Sequence, residues 1–280
     1  MALIQCNFFS SCLNRTVPIQ VILPTDKRVF GPEGKPVLQE ERPLKTLYLL
    51  HGLFGNYTDW VSGTRVPAWA QDHDLAVVCP SGDNSFYVDN TKSGNLYSTF
   101  IGQELVEFTR RSFPLSRRRE DTFIGGLSMG GYGATVNGLR FADTFSHVVA
   151  LSSAYIIDTN FAQATEYTDN IFTNKGYGES IFNDMSTVKG GEYDYDALAK
   201  RVADNPNKPK FYMACGTEDE LIGSNREYRD LLLSLGYQVS WHEGPGGHDW
   251  VFWDKHIGEC MEWLPLGGAV EGLSSGHIGE

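Results

Sequence analysis

Gly126-Leu127-Ser128-Met129-Gly130 is a G-x-S-x-G pentapeptide. In that motif the serine occupies a sharp strand-to-helix turn, which the backbone can make only between small neighbours. The apolar run Thr122-Phe123-Ile124 precedes it, and Gly131-Tyr132-Gly133-Ala134 follows with small residues that let a helix pack closely beneath the turn. Ser128 is therefore the candidate nucleophile. A second match, Gly272-Leu273-Ser274-Ser275-Gly276, is set aside: no apolar strand precedes it and no helix has room to follow.

A serine hydroxyl is a weak nucleophile near neutral pH and needs a base, which in turn needs an orienting carboxylate. Where this motif opens a helix, the partners follow in the chain order serine, acid, histidine. His147, His242, His248, His256 and His277 come after Ser128. Only His248 stands beside a Gly-rich turn, Gly244-Pro245-Gly246-Gly247, directly after an expected strand, and it is the candidate base. For the acid, Cys215-Gly216-Thr217-Glu218-Asp219 follows an expected strand end, and Asp219 is the choice. Asp158 is the alternative, from a neighbouring strand end, while Glu218 and Glu220 read as solvated loop charge.

A tetrahedral intermediate also requires donors aimed at its oxyanion. The motif supplies one from the backbone N–H of Met129. The second is expected from the early loop His51-Gly52-Leu53-Phe54-Gly55-Asn56, from Leu53 or alternatively Phe54. His51 itself reads as a loop brace, and Arg117-Arg118-Arg119 as a solvated loop. With no H-E-x-x-H, phosphate-binding Gly-rich loop or Cys/His cluster, neither a metal nor a cofactor is implied.

The elements that must position these groups alternate along the chain. Ile4, Cys6 and Phe8, then Val17, Ile19, Val21 and Leu23, alternate with other residues, the period-two pattern of an antiparallel pair. Thr46 to Leu50, Leu75 to Cys79, Asp121 to Gly125, Val148 to Leu151 and Phe211 to Cys215 are short apolar runs, as in strands buried on both faces. Val239 to His242 completes the set. Helices are expected over Thr99 to Phe113, Asn225 to Leu235 and Trp250 to Trp263. The 280 residues thus suggest one α/β domain over 1–265, with an insertion at about 155–203 and a mobile, Gly-rich tail over 266–280.

Composition narrows the partners. The chain carries 23 Lys plus Arg against 35 Asp plus Glu, a net charge of −12, which repels phosphate backbones, so no nucleic-acid partner is expected. Its apolar runs are too short for a membrane span. Five scattered cysteines without a Cys-x-x-Cys, and an N-terminus unlike a signal peptide, suggest a cytoplasmic protein.

Taken together, Leu49-Leu50-His51-Gly52-Leu53-Phe54-Gly55-Asn56, the Ser128 motif through Gly133, Gly216-Thr217-Glu218-Asp219 and Gly247-His248-Asp249-Trp250 resemble the esterase D group of α/β hydrolases. More narrowly, the chain looks like the bacterial tributyrin esterases. The resemblance covers about Lys45 to Trp263. It implies an α/β-hydrolase fold, a mostly parallel sheet flanked by helices with a lid-like insertion, and a serine carboxylesterase acting on short acyl esters. It assigns Ser128, Asp219 and His248 to catalysis and Leu53 and Met129 to the oxyanion hole. S-formylglutathione hydrolases and feruloyl and acetyl xylan esterases share this group, so the alcohol part stays open. An acyltransferase and a non-catalytic binding protein are the more distant readings, and a homo-oligomer is compatible. The insertion's aromatics, Tyr155, Phe161, Tyr167, Phe172, Tyr177 and Phe182, fit either a short or aromatic substrate or a small auxiliary core.

Overall fold

The computed structural model describes residues 1–31, 33–37, 42–157, 161, 163–270 and 272–273. Asp158, His277 and Ser274 lie outside the described residues. The expected N-terminal pair forms as β1 (Ala2–Ser10) and β2 (Arg15–Leu23), antiparallel with Ile4 opposite Val21. Strands β3 (Lys45–Leu50), β4 (Leu75–Pro80), β5 (Thr122–Leu127), β6 (His147–Leu151), β7 (Lys210–Gly216) and β8 (Val239–Gly244) follow. They make one eight-stranded sheet in the order β1-β2-β4-β3-β5-β6-β7-β8. From β4 onward every pairing is parallel, while β2 runs antiparallel to both its neighbours.

The apolar runs divide between the two faces of the sheet, as the two-residue period of a strand requires. Tyr48 and Leu50 of β3 join one core and Leu47 and Leu49 the other. β6 does the same, with Val148 and Ala150 against Val149 and Leu151. Helices α1 (Asp59–Gly63) and α2 (Val66–Asp72) precede α3 (Leu105–Ser112) and α4 (Met129–Arg140). α5 (Lys175–Phe182), α6 (Tyr195–Val202), α7 (Ile222–Ser234) and α8 (Trp250–Trp263) complete the set. Residues of α3, α4, α6 and α7 belong to the first core, and those of α1, α2 and α8 to the second. A sheet covered on both faces is the architecture expected from the alternating pattern. Among the described residues no helix is long and apolar enough to cross a membrane.

Three regions differ in detail from the pattern. The helix expected over Thr99 to Phe113 begins at Tyr97 and passes through a π-helical turn, Phe100–Glu104, before α3. Glu104 sits in that turn and accepts hydrogen bonds from the Ser11 N–H (2.6 Å) and the Cys12 N–H (3.3 Å), anchoring the β1–β2 hairpin. The insertion contains α5 and α6, which its mixed composition concealed. Beyond Leu266, the described part of the tail returns to the body: Leu273 bridges Arg28, and the Val270 N–H donates to Asp74 Oδ2 (2.6 Å). Asp74 and Lys27 also form an ion pair of 2.6 Å with both side chains nearly inaccessible.

Candidate active site

In an open α/β sheet the crevice forms at the carboxyl ends of the strands, where the strand order reverses. Here the reversal falls between β3 and β5, and four candidate segments leave carboxyl ends: His51-Gly52-Leu53 after β3, Ser128 after β5, Asp219 beyond β7 and His248 beyond β8.

Ser128 has φ 53° and ψ −119°, a conformation that non-glycine residues rarely adopt. The surrounding glycines make it possible. A Cβ on Gly126 would lie 2.4 Å from the Gly130 carbonyl, and one on Gly130 would lie 2.4 Å from the Leu50 carbonyl oxygen. The Ser128 N–H donates to the Leu151 carbonyl (2.9 Å), tying the turn to β6. α4 then starts at Met129, whose N–H belongs to the first turn of a helix and so lacks an intrahelical acceptor.

His248 Nε2 is 3.0 Å from Ser128 Oγ, and His248 Nδ1 is 2.9 Å from Asp219 Oδ2. A carboxylate can only accept, so Nδ1 carries the proton and donates to Asp219, leaving Nε2 to accept from the serine hydroxyl. The Asp219 side chain is inaccessible to solvent, whereas that of His248 is 38% exposed. Burial pushes the Asp219 carboxyl up, but hydrogen bonds from His248 and from the Leu221 N–H (2.9 Å) outweigh it and leave the carboxyl below its ordinary value. The Trp253 ring meets His248 edge-on at 4.9 Å, and its Nε1–H donates to Ser152 Oγ.

The structure brings together Ser128, His248 and Asp219, and among the described residues places the other histidines elsewhere. His242 and His256 face Tyr212 between β7, β8 and α8, with the His242 ring stacked at 4.4 Å and His256 Nδ1 at 3.3 Å from the Tyr212 hydroxyl. His51 is buried, and burial holds its imidazole below the ordinary value. Its Nε2 accepts the Gly82 N–H (2.8 Å) and its Nδ1–H donates to the Gly52 carbonyl (2.7 Å), the geometry of a neutral loop brace. Of the two oxyanion candidates in this loop, Phe54 donates its N–H to Asn84 Oδ1 (2.8 Å). That engagement leaves Leu53 as the candidate donor of this loop, beside Met129.

Glu218 is exposed, as expected of loop charge, and also makes a bond that its sequence position did not suggest. Its Oε2 accepts the Gly246 N–H (2.6 Å), and that hydrogen bond draws its carboxyl below the ordinary value. The loop bearing Asp219 is thereby tied to the loop bearing His248. Sequence order alone held no signal for this tie, because a carboxylate bonded to a backbone amide 28 residues away has no local pattern.

A cleft of about 750 Å³ opens over these groups. Leu53, Met129, Phe86, Tyr155, Phe172 and Trp250 are among its lining residues, with Asp59, Asp219 and Glu220. Phe172 brings the insertion to the rim. Phe161 and Phe182 pack on Phe86 at 5.2 and 6.4 Å, and Tyr155 packs on Tyr195 and Tyr228, so these aromatics of the insertion extend the first core instead of building a separate one.

The chain is similar to known esterases over nearly its whole length. An acetyl esterase of Caldicellulosiruptor saccharolyticus is 42% identical over 266 residues, covering 94% of this chain and 98% of that protein. Two solved Staphylococcus aureus structures each cover 94% of this chain and 98% of theirs, with a TM-score of 0.79. They are FphF, a fluorophosphonate-binding serine hydrolase with substrate bound, at 34% identity, and the S-formylglutathione hydrolase FrmB at 33%. The family described as "Putative esterase" matches residues 10–264. The chain belongs to this esterase family, and it is a serine hydrolase of carboxylic esters built on the α/β-hydrolase fold.

Proposed function

We propose that Ser128, His248 and Asp219 form the catalytic triad, that the N–H groups of Leu53 and Met129 form the oxyanion hole, and that the substrates are short-chain acyl esters, acetyl esters foremost. The observation that carries the assignment is the hydrogen-bonded chain from Asp219 through His248 to Ser128, at 2.9 and 3.0 Å, opening into the cleft. His248 Nε2 takes the Ser128 proton as Oγ attacks the ester carbonyl, and the two amides receive the developing oxyanion. His248 then protonates the departing alcohol. Water repeats the sequence in reverse and releases the acid.

The acetyl preference rests on the 42% identical relative named an acetyl esterase, and the tributyrin esterase likeness points to the same class of short acyl chains. S-formylglutathione is the second reading, favoured by the FrmB structure. The cleft argues against it: no Lys or Arg stands among the described lining residues, so no cationic side chain there pairs with the carboxylates of glutathione. The single α/β-hydrolase domain, a cytoplasmic location and a possible homo-oligomer belong to the same proposal.

Hydrolysis of p-nitrophenyl acetate, butyrate, octanoate and palmitate, beside S-formylglutathione and methyl ferulate, tests it. Acetate or butyrate should lead, and Ser128→Ala should lower kcat by up to about 10⁶ if the three residues act as a unit. Unchanged activity in that variant would remove Ser128 from the mechanism. Products formed with added alcohols separate hydrolysis from transfer, because one acyl-enzyme partitions between both acceptors. A fluorophosphonate that fails to label folded protein would favour a binding role.

A further inference from the structure

Phe54 holds φ at 67° with its side chain 71% exposed, so packing of the ring does not fix this residue of the oxyanion loop. A positive φ at a bulky residue is strained and persists only where surrounding contacts over-determine it. The contact at this point is the hydrogen bond from the Phe54 N–H to Asn84 Oδ1 (2.8 Å).

Asn84 belongs to a loop that is itself unusual. Asp83, Phe86 and Tyr87 have φ of 45°, 52° and 57°. On one side the loop grips the oxyanion segment: the Gly82 N–H donates to His51 Nε2, and the Tyr87 hydroxyl donates to the His51 carbonyl (3.0 Å). On the other side the insertion grips the loop. The Tyr177 hydroxyl of α5 donates to the Asn84 carbonyl (2.8 Å), and Asn90 Nδ2 donates to the Ser180 carbonyl at the same helix. The Asp89 N–H donates to the Tyr193 hydroxyl (3.1 Å).

We propose that Asn84 is a positioning residue for the oxyanion hole. By taking the Phe54 N–H it fixes the turn that presents the Leu53 N–H to the substrate oxygen, and the insertion holds Asn84 in place through Tyr177. The insertion then acts on the reaction as a brace, beyond its contribution of Phe172 to the cleft rim. This inference rests on the assignment of Leu53 as an oxyanion donor. Because a donor aimed at the oxyanion acts in the transition state, its misplacement lowers kcat and leaves substrate binding largely intact.

The test measures p-nitrophenyl acetate hydrolysis by Asn84→Ala, with circular dichroism to confirm folding. The kcat should fall about tenfold, less than complete loss of an oxyanion donor, with KM within about twofold. The pH dependence of kcat/KM should keep its shape, because Asn84 touches neither His248 nor Asp219. Affinity for a trifluoromethyl ketone, which forms an oxyanion on the serine, should fall by the same factor as kcat/KM. Tyr177→Phe, which removes only the hydroxyl, should lower kcat about threefold at constant KM. A kcat within twofold of the parent in Asn84→Ala, a loss carried by KM, or a moved pH profile would overturn the proposal. Should Asn84→Ala not fold, Tyr177→Phe decides it, and unchanged kcat there overturns the brace. Ser128→Ala in the same assay keeps the two ideas separate: abolished turnover there with intact Asn84→Ala activity sinks only the brace.

Discussion

Around Ser128 the close approach of glycines lies within one pentapeptide, whereas the loop before His248 is held both by packing, a Cβ on Gly216 lying 2.0 Å from the Gly246 carbonyl oxygen, and by bonds between loops. At the Ser128 turn, Gly126 and Gly130 lie against carbonyl groups with no room for a Cβ, and every residue of α4 from Met129 to Leu139 is buried. By contrast, the His248 side chain is 38% exposed, and its loop is bonded by Asp219 on the imidazole and Glu218 on the Gly246 amide. Steric exclusion is short-ranged and is written in a pentapeptide. Hydrogen bonding across loops depends on two segments that meet only in the folded chain. The Ser128 turn should therefore be sensitive to added atoms, and the His248 loop to lost partners as well.

The largest test of that difference is Asp219→Asn, which keeps the volume but stabilises the wrong imidazole tautomer. Its kcat should fall about 10⁴ with little change in thermal stability, measured by esterase kinetics and calorimetry together. Gly130→Ala adds one methyl group where the Leu50 carbonyl oxygen stands 2.4 Å away. Overpacking of this kind should cost about 1–3 kcal/mol in denaturant unfolding. The accompanying shift of Ser128 should lower kcat about a hundredfold. A Gly130→Ala enzyme as stable and active as the parent would refute the steric account of the turn. Glu218→Ala removes only the acceptor of the Gly246 N–H, so kcat should fall about fivefold with the fold intact. An unchanged rate would leave Glu218 with only the solvated role its sequence suggested.

The smallest expected effect lies away from the cleft. Burial, reinforced by Lys210, Arg119 and Lys45, pushes His147 down to about 4, and burial also lowers His256 although Glu259 opposes it. A histidine whose folded pKa is depressed binds fewer protons folded than unfolded. The associated stability is present above the unfolded value of 6.5 and is lost as pH falls from there toward 4. Melting temperature should decline over that window, and His147→Phe should flatten part of the decline. An equally steep decline in that variant would assign it to other groups.

Much of the fold was legible because its signals are local. The apolar runs of β3 to β7 fell within a residue or two of the observed strands, since a strand buried on both faces has few ways to be written. α8 appeared with the expected bounds, Trp250–Trp263. The π-helical turn before α3 was not legible, because Glu104 is drawn to the amides of Ser11 and Cys12 more than ninety residues earlier. α5 and α6 were hidden for a related reason. Their aromatic contacts, such as Phe161 with Tyr177 and Tyr195 with Tyr228, span separate elements and leave no clean helical period.

What the sequence determined by itself is the set of groups available for chemistry and the sharp turn that carries one of them. Small residues flanking a serine after an apolar run admit few backbone paths, and the order of serine, acid and histidine selected Asp219 and His248 from several carboxylates and imidazoles. Tertiary structure decided how those groups meet. It brought His248 to 3.0 Å from a serine 120 residues earlier, engaged Glu218 with Gly246, and occupied the Phe54 N–H with Asn84. Each is a polar contact between loops, with an optimum of about 3 Å and a strong angular preference. Such contacts are set by the packing of the sheet and helices beneath them, and they have no periodicity along the chain.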